Sequence, residues 1–345
     1  MAKKINLNDV AAAAGVSVAT VSRVANGSDS VSPDLREKVI KAAAQLGVDL
    51  YSKNRSKVIT FLLGNRGVLH PFHSAVLVGA EAYCAEQGYG LLFRRLEYGL
   101  DVPWENLFIP QVLQDRDLVR GAIVAGTNSQ NLLDLLSHLG IPFVVLGNNV
   151  IDPWKNEEYS AVYFDDIGGA SAMTRYLQSQ GHRRIWFVGN CRLPWFARRY
   201  QGYRAAMQER GLEPLLSEVE SDNGDDTGYL ASMSFLNRGE NATAILAGDD
   251  ATARGVYRAI SDSGLNIPGD ISVAGINDTA DAAALTPPLT SVHVFTTQIG
   301  KQLAKVLMDR IADPTLAPIK MTLPTRLVKR ESCGAPRNQE EFASV

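Results

Sequence analysis

The chain has 345 residues, of which 46% are apolar, 21% charged and 8% aromatic. That composition is ordinary for a globular protein and excludes disordered and collagen-like chains, while the length calls for more than one domain. The net charge of −3 is unevenly shared: residues 1–57 carry nine Lys/Arg against five Asp/Glu, a net +4, and the remainder 25 against 32, a net −7. A small basic head on an acidic body suits phosphate contact by the head alone. Three cysteines, at 84, 191 and 333, have no partner spacing, which argues against a disulfide framework or a thiolate zinc site and suits a reducing cytoplasm. No apolar run approaches the roughly 20 residues of a membrane span. The opening MAKKINLND lacks an apolar export signal, so the expected location is the cytoplasm with no membrane partner.

The head predicts three short helices. Asn6 caps the first, over 7–14, with Asp9 completing a capping-box-like pair. Gly15 allows the left-handed turn that follows, and Ser17 caps the second helix, over 18–25, which Asn26-Gly27 ends. Ser32 and Pro33 start the third, which runs to Leu46 and stops at Gly47. Val10, Ala11, Val16, Val21, Val24, Val39 and Leu46 supply one small core. Helix, short Gly-containing turn and helix is the helix-turn-helix pattern, although a generic three-helix bundle has the same spacing. The polar face of the second helix favours DNA, because Ser17, Thr20, Ser22 and Arg23 are short hydroxyls and one cation where a solvated face carries Glu and Lys.

From residue 58 onwards, apolar runs of strand length alternate with helical stretches. The strands fall at 58–63, 91–93, 121–125, 142–146, 161–164, 185–188, 243–247, 271–274 and 292–294. Helices are expected at 75–87, 132–139, 168–180, 200–209, 228–236, 251–262 and 296–311. This alternation predicts parallel sheets covered on both faces, and about 280 residues require two such subdomains. Ligands of open α/β sheets bind beyond the carboxyl ends of the strands. The polar residues there are Asn148-Asn149, Asp165-Asp166, Asn190, Asp249-Asp250 and Asn277-Asp278, each of which could equally be a loop or cap residue.

No catalytic signature accompanies these elements: there is no Walker A sequence, no G-x-S-x-G and no H-E-x-x-H, so neither enzymatic activity nor a cofactor is expected. His70 and His73 are separated by Pro71 and Phe72 with no carboxylate nearby in sequence, and they read as loop residues rather than metal ligands.

The head segment LNDVAAAAGVSVATVSRVANG at 7–27, continued by VSPDLREKV at 31–39, resembles the DNA-binding head of the LacI/GalR family of bacterial transcription regulators. The body carries matching segments: GHRRI at 181–185, RYQGY at 199–203, IPGDISVAG at 267–275, LTPPLT at 285–290 and LVKRESC at 327–333. The resemblance implies a small all-α helix-turn-helix head and an α/β periplasmic-binding-protein-like body of two doubly wound parallel-sheet subdomains. The implied divisions are a head over 1–47, a linker over 48–57, an effector-binding and dimerisation body over 58–333 and a tail over 334–345. Within the body, the first subdomain would take 58–163 and 291–323 and the second 164–290, with crossovers near Tyr163, Ser291 and Leu323.

The resemblance further implies a homodimeric regulator, a repressor, on double-stranded operator DNA, with a small sugar-like effector in the interdomain cleft. A solute-binding protein without a gene-regulatory role would share the body but not the head. The implied DNA contacts are Ser17, Val18, Ala19, Thr20, Ser22, Arg23 and Asn26, with Lys53 and Arg55 on the linker. The small apolar Val18 and Ala19, in the family's variable base-reading positions, can meet thymine methyls but cannot make bidentate base hydrogen bonds. The implied effector contacts are His70, Phe72, Asn148, Asp165, Arg199, Asp249 and Asn277, with Asp249 alternatively a cap for the helix after it. Three departures stand out. The linker GVDLYSKNRSKVI at 47–59 lacks the family's hinge-helix motif, which argues against a kinked minor groove. The family's Asn-Asp and later Asp-Asp pairs read Asp249-Asp250 and Asn277-Asp278 here. The tail has no leucine heptads, which argues against a tail-built tetramer.

Overall fold

The computed structural model describes residues 6–25, 31–46, 48, 57–67, 70–115, 117–217, 219, 221, 223–239 and 241–336. Its two compact units are residues 1–58 with 111–120, and residues 59–110 with 121–345. The segment 111–120, expected in the body from its place between two body strands, is thus grouped with the first unit.

The first unit holds α1 (Leu7–Ala14), α2 (Val18–Ala25) and α3 (Pro33–Gln45). Asn6 caps α1 by accepting from Asn8 N at 2.8 Å, and Asp9 accepts from Asn6 N at 2.8 Å, so two orphan amides are satisfied reciprocally. Gly15 ends α1 at φ 66°, where a side chain would be strained. Ser32 occupies the cap position of α3 without a side-chain hydrogen bond, and Pro33 at the first position with Asp34 after it marks that helix's start. Val10, Val21, Val24 and Val39 are fully buried, and Val16 and Leu46 pack on them.

The body contains two six-stranded sheets. The first has the order β11-β5-β4-β3-β1-β2, built from β1 (Val58–Gly64), β2 (Gly90–Leu96), β3 (Val119–Gly126), β4 (Phe143–Leu146), β5 (Ala161–Phe164) and β11 (Lys320–Leu323). It is flanked by α4 (Pro71–Glu86), α6 (Gln130–His138) and α12 (Thr296–Ala312), while the short α5 (Gln111–Gln114) precedes β3. The second sheet has the order β12-β10-β9-β8-β6-β7. Its strands are β6 (Ile185–Val188), β7 (Leu215–Ser217), β8 (Ala244–Ala247), β9 (Ser272–Asn277), β10 (Thr290–Val294) and β12 (Thr325–Val328). Its helices are α7 (Asp166–Ser179), α8 (Pro194–Glu209), α9 (Gly224–Asn237), α10 (Asp250–Asp262) and α11 (Ala280–Ala284). The central strands β4, β6, β8 and β9 are buried along their whole length, which is why they read as unbroken apolar runs.

Two features depart from the sequence expectation. Strand β12 pairs antiparallel with β10, closing an otherwise parallel sheet with an edge too short and too polar to stand out as a run. The second crossover lies at Phe295 rather than near Ser291, because all of β10 belongs to the second sheet. The first and third crossovers lie between β5 and α7 and at Pro324, between β11 and β12.

Candidate DNA-binding face and effector cleft

Helix α2 buries Val21, Val24 and Ala25 and turns its other face outward. Ser17, Val18, Ala19 and Arg23 are exposed, with Thr20 and Ser22 half-buried beside them. Val18, at 43% exposure, is a large apolar side chain placed where water would exclude it. Ser17 is partly committed to the helix itself: its Oγ accepts from Thr20 N at 3.1 Å and meets Thr20 Oγ1 at 2.9 Å. Of the other expected DNA contacts, Asn26, Lys53 and Arg55 lie outside the described residues.

In the body, the strand ends and helix starts of both subdomains enclose a cavity of about 670 Å³. Its walls carry Arg199, Asp249, Asn277, His70 and Phe72, five of the seven side chains expected at an effector. The other two are used elsewhere. Asn148 is fully buried and clamps the backbone of β5, donating to Phe164 O and accepting from Phe164 N, both at 2.9 Å. Its neighbour Asn149 lines the cavity instead. Asp165 is exposed and caps α7, accepting from Gly168 N at 2.8 Å. Asn190, also at a strand end, donates to Ser221 O at 3.2 Å and accepts from Arg192 N at 3.2 Å, holding its loop.

Arg199 is the centre of the second subdomain's wall. It is 2% exposed; Nη1 donates to Gly248 O at 2.6 Å and Nη2 to Asn277 Oδ1 at 2.8 Å. Its Nε is buried without a partner. Burial works against its charge, and Asp166, Asp249 and Asp250 partly restore it. Helix α8 can hold this residue so deep because Gly202, one turn on, lets the helix approach the Ile167 carbonyl of α7 more closely than any Cβ would allow. Asn277 meets Arg199 from a backbone at φ 120°, and Asp278 follows at φ 54°. Asp278 is fixed by Arg330 Nη2 at 2.7 Å and His293 Nδ1 at 2.9 Å.

Asp249 is the helix cap expected of it in alternative, and it also reaches the cavity. Oδ1 caps α10, accepting from Thr252 N at 2.8 Å and Thr252 Oγ1 at 2.7 Å, while the side chain also lines the cavity. Asp250, 4% exposed, accepts from Ser291 Oγ at 2.6 Å and Thr279 N at 2.7 Å, and burial pushes its carboxyl up to about 7. At the rim, Arg254 is paired with Asp225 at 2.9 Å and Asp281 at 3.4 Å.

The first subdomain contributes the start of α4. His73 is not a loop residue: it sits in the first turn of that helix, 4% exposed, with Nδ1 unpartnered, and burial holds it well below the usual histidine range. His70 is lowered by the same cause, against the opposing pull of Asp249. Among the described residues no group of three or more His, Cys, Asp or Glu is placed to hold a metal ion. Sequence reading missed Arg66, Phe164, Trp195, Phe196 and Thr227, which also line the cavity. Pro71 and Pro194, each at the first position of a helix, were the available signal that α4 and α8 start early enough to reach it. Arg66 reaches from the first subdomain to stack its guanidinium 4.3 Å from the ring centre of Trp195 in the second.

Comparisons with known proteins agree with this anatomy. Residues 6–49 match the family described as bacterial regulatory proteins, lacI family, and residues 174–333 match a periplasmic binding protein-like domain. The chain is 31% identical over 343 residues to the HTH-type transcriptional regulator CelR of Thermobifida fusca, covering 96% of this chain and 98% of that protein. It is 32% identical over 337 residues to the ribose operon repressor of Haemophilus influenzae, covering 94% and 98%. Among solved structures, a CelR–cellobiose complex aligns with TM-score 0.71 at 31% identity over 95% of this chain and 100% of that one. A lac repressor dimer bound to operator and the anti-inducer ONPF aligns with TM-score 0.70 at 26% identity, covering 96% and 100%. With full-length relatives above 30% identity, a matching head and a matching body, this chain belongs to the lacI family of bacterial regulatory proteins.

Proposed function

We propose that this protein is a transcriptional repressor that binds a pseudo-palindromic operator as a homodimer in the cytoplasm, under control of a polyhydroxylated effector held in the body cavity. The observation that carries the proposal is the presence, on one chain, of a helix-turn-helix head with an outward polar face and a cavity built around the anchored Arg199. In this reading Arg23 and the hydroxyls of Thr20 and Ser22 meet phosphates or base edges, while Val18 and Ala19 meet thymine methyls. Lys53 and Arg55 add phosphate contacts from the linker.

In the cavity, the three unspent N–H groups of Arg199 and the second oxygen of Asp249 face the effector's polar groups, with His70 and Asn277 beside them. Phe72, Phe164, Trp195 and Phe196 give the apolar faces of a sugar ring something to pack against. The relatives support this class of effector: one solved neighbour is a complex with cellobiose and another has bound ribose. The ligand is bound and released unchanged. Selection of operator-like duplexes from a random pool with the full chain should enrich a two-fold symmetric sequence, and deletion of residues 1–57 should abolish its binding. Retention of that duplex by the truncated body in a mobility-shift assay would refute the assignment of DNA binding to the head.

A further inference from the structure

The charge balance around Arg199 points to the kind of effector this cleft takes. A guanidinium carries five N–H donors, and among the described residues only two of this one are used. Both go to neutral acceptors, the Gly248 carbonyl and the Asn277 amide oxygen. Three carboxylates stand close enough to act on its charge, yet none is hydrogen-bonded to it among the described residues. Asp166 is taken by Arg198, whose Nε donates to its two oxygens at 3.0 and 3.2 Å. Asp250 spends both oxygens on Ser291 and Thr279. Asp249 spends Oδ1 on the start of α10. Arg199 is therefore a cation 98% removed from water with no contact anion and with Nε unpartnered, in the wall of a cavity. A buried charge left in this condition is costly, and a ligand that brings the missing anion removes that cost on binding.

We propose, on the reading of this cavity as the effector site, that the effector is a sugar acid whose carboxylate pairs with Arg199, rather than a neutral sugar. A planar carboxylate matches the guanidinium in two parallel hydrogen bonds and delivers a single negative charge to Arg199. The second charge of a phosphate monoester would face Asp249 in the same wall. The hydroxyls of the acid then fall to the free oxygen of Asp249 and the unpartnered Nδ1 atoms of His70 and His73. Asn277 is the residue that sets the preference, because its amide occupies the place from which a carboxylate would neutralise Arg199 within the protein.

The test is calorimetric titration of the full chain with matched ligands. Glucose, galactose, ribose and cellobiose are each compared with the corresponding acid (gluconate and glucuronate, galacturonate, ribonate, cellobionate), with glucose 6-phosphate and ribose 5-phosphate as the phosphate arm. The expected result is at least one acid bound tenfold or more tighter than its neutral parent and than either phosphate. In Asn277→Asp, the advantage of that acid over its neutral parent should shrink at least tenfold. A neutral sugar bound as tightly as its acid, or a phosphate bound more tightly, overturns the sugar-acid proposal and leaves the effector cavity standing. No binding by any member of the panel overturns the reading of the cavity as a sugar site and the proposal with it.

Discussion

The dual position of Asp249 makes it the sharpest place to separate a binding role from a folding role. Replacing it by Ala removes the cap that its Oδ1 gives the start of α10 by accepting from Thr252 N and Oγ1. Loss of such a cap costs about 1 kcal/mol, which for a body of this size lowers Tm by roughly 2–4 °C. If the free oxygen also accepts from the effector, Asp249→Ala loses in addition about 1.5–3 kcal/mol of binding, roughly 10- to 150-fold in Kd. Asp249→Asn separates the two, since an Asn side-chain oxygen caps as well as Asp does but carries no charge and accepts more weakly. The expected outcome is a Tm within about a degree of the parent for Asp249→Asn and a lowered Tm for Asp249→Ala. Both variants should weaken effector binding in calorimetric titration while leaving operator affinity without effector unchanged. An Asp249→Asn protein that binds effector like the parent, beside an Asp249→Ala protein that loses only Tm, would show that the residue merely caps its helix.

Other outcomes follow from the same structure. Operator binding should weaken steeply with added salt, and Arg23→Ala should cost about 1–3 kcal/mol, with a salt slope shallower by about one if the contact is to phosphate. A quantitative mobility-shift series at several salt concentrations reads both numbers. Gly202→Ala places a methyl against the Ile167 carbonyl, so α8 must move, costing about 1–3 kcal/mol of stability. Because α8 carries Arg199, effector affinity should fall with Tm; a variant with lower Tm and intact affinity would show that Arg199 does not depend on this packing. Asp250 titrates near 7 in the folded body, above its unfolded value of 3.8. The folded state therefore holds this proton longer, and the stabilisation it gives is complete below about pH 4 and lost as the pH rises through about 7. Tm should decline between pH 5 and pH 7.5 more steeply in the parent than in Asp250→Asn, whose amide can still accept from Thr279 N while donating to Ser291; equal slopes would contradict the raised carboxyl.

The sequence alone determined the elements whose signals are local. The capping box at Asn6, the left-handed Gly15 and the apolar spacing of Val10, Val21, Val24 and Val39 specify the head without reference to anything distant. Likewise the buried runs at 185–188 and 244–247 announce parallel strands, because a strand covered on both faces has no polar alternation to obscure it. Asp249 and Asn277 were legible as cavity residues because the carboxyl ends of such strands open onto a cleft, and Arg199 only through the RYQGY segment that resembles the family's. What only the tertiary structure decided is which of these polar residues the fold keeps for itself. Asn148 and Asp165 occupy the same kind of position as Asn277 and Asp249, but the backbone groups of β5 and the first turn of α7 lie within reach and consume them. Arg66 and Trp195 carry no local signal at all; they meet because two subdomains threaded by three crossovers face one another. Chain spacing cannot state that proximity, since the partners are more than a hundred residues apart and their meeting depends on the packing of every element between them.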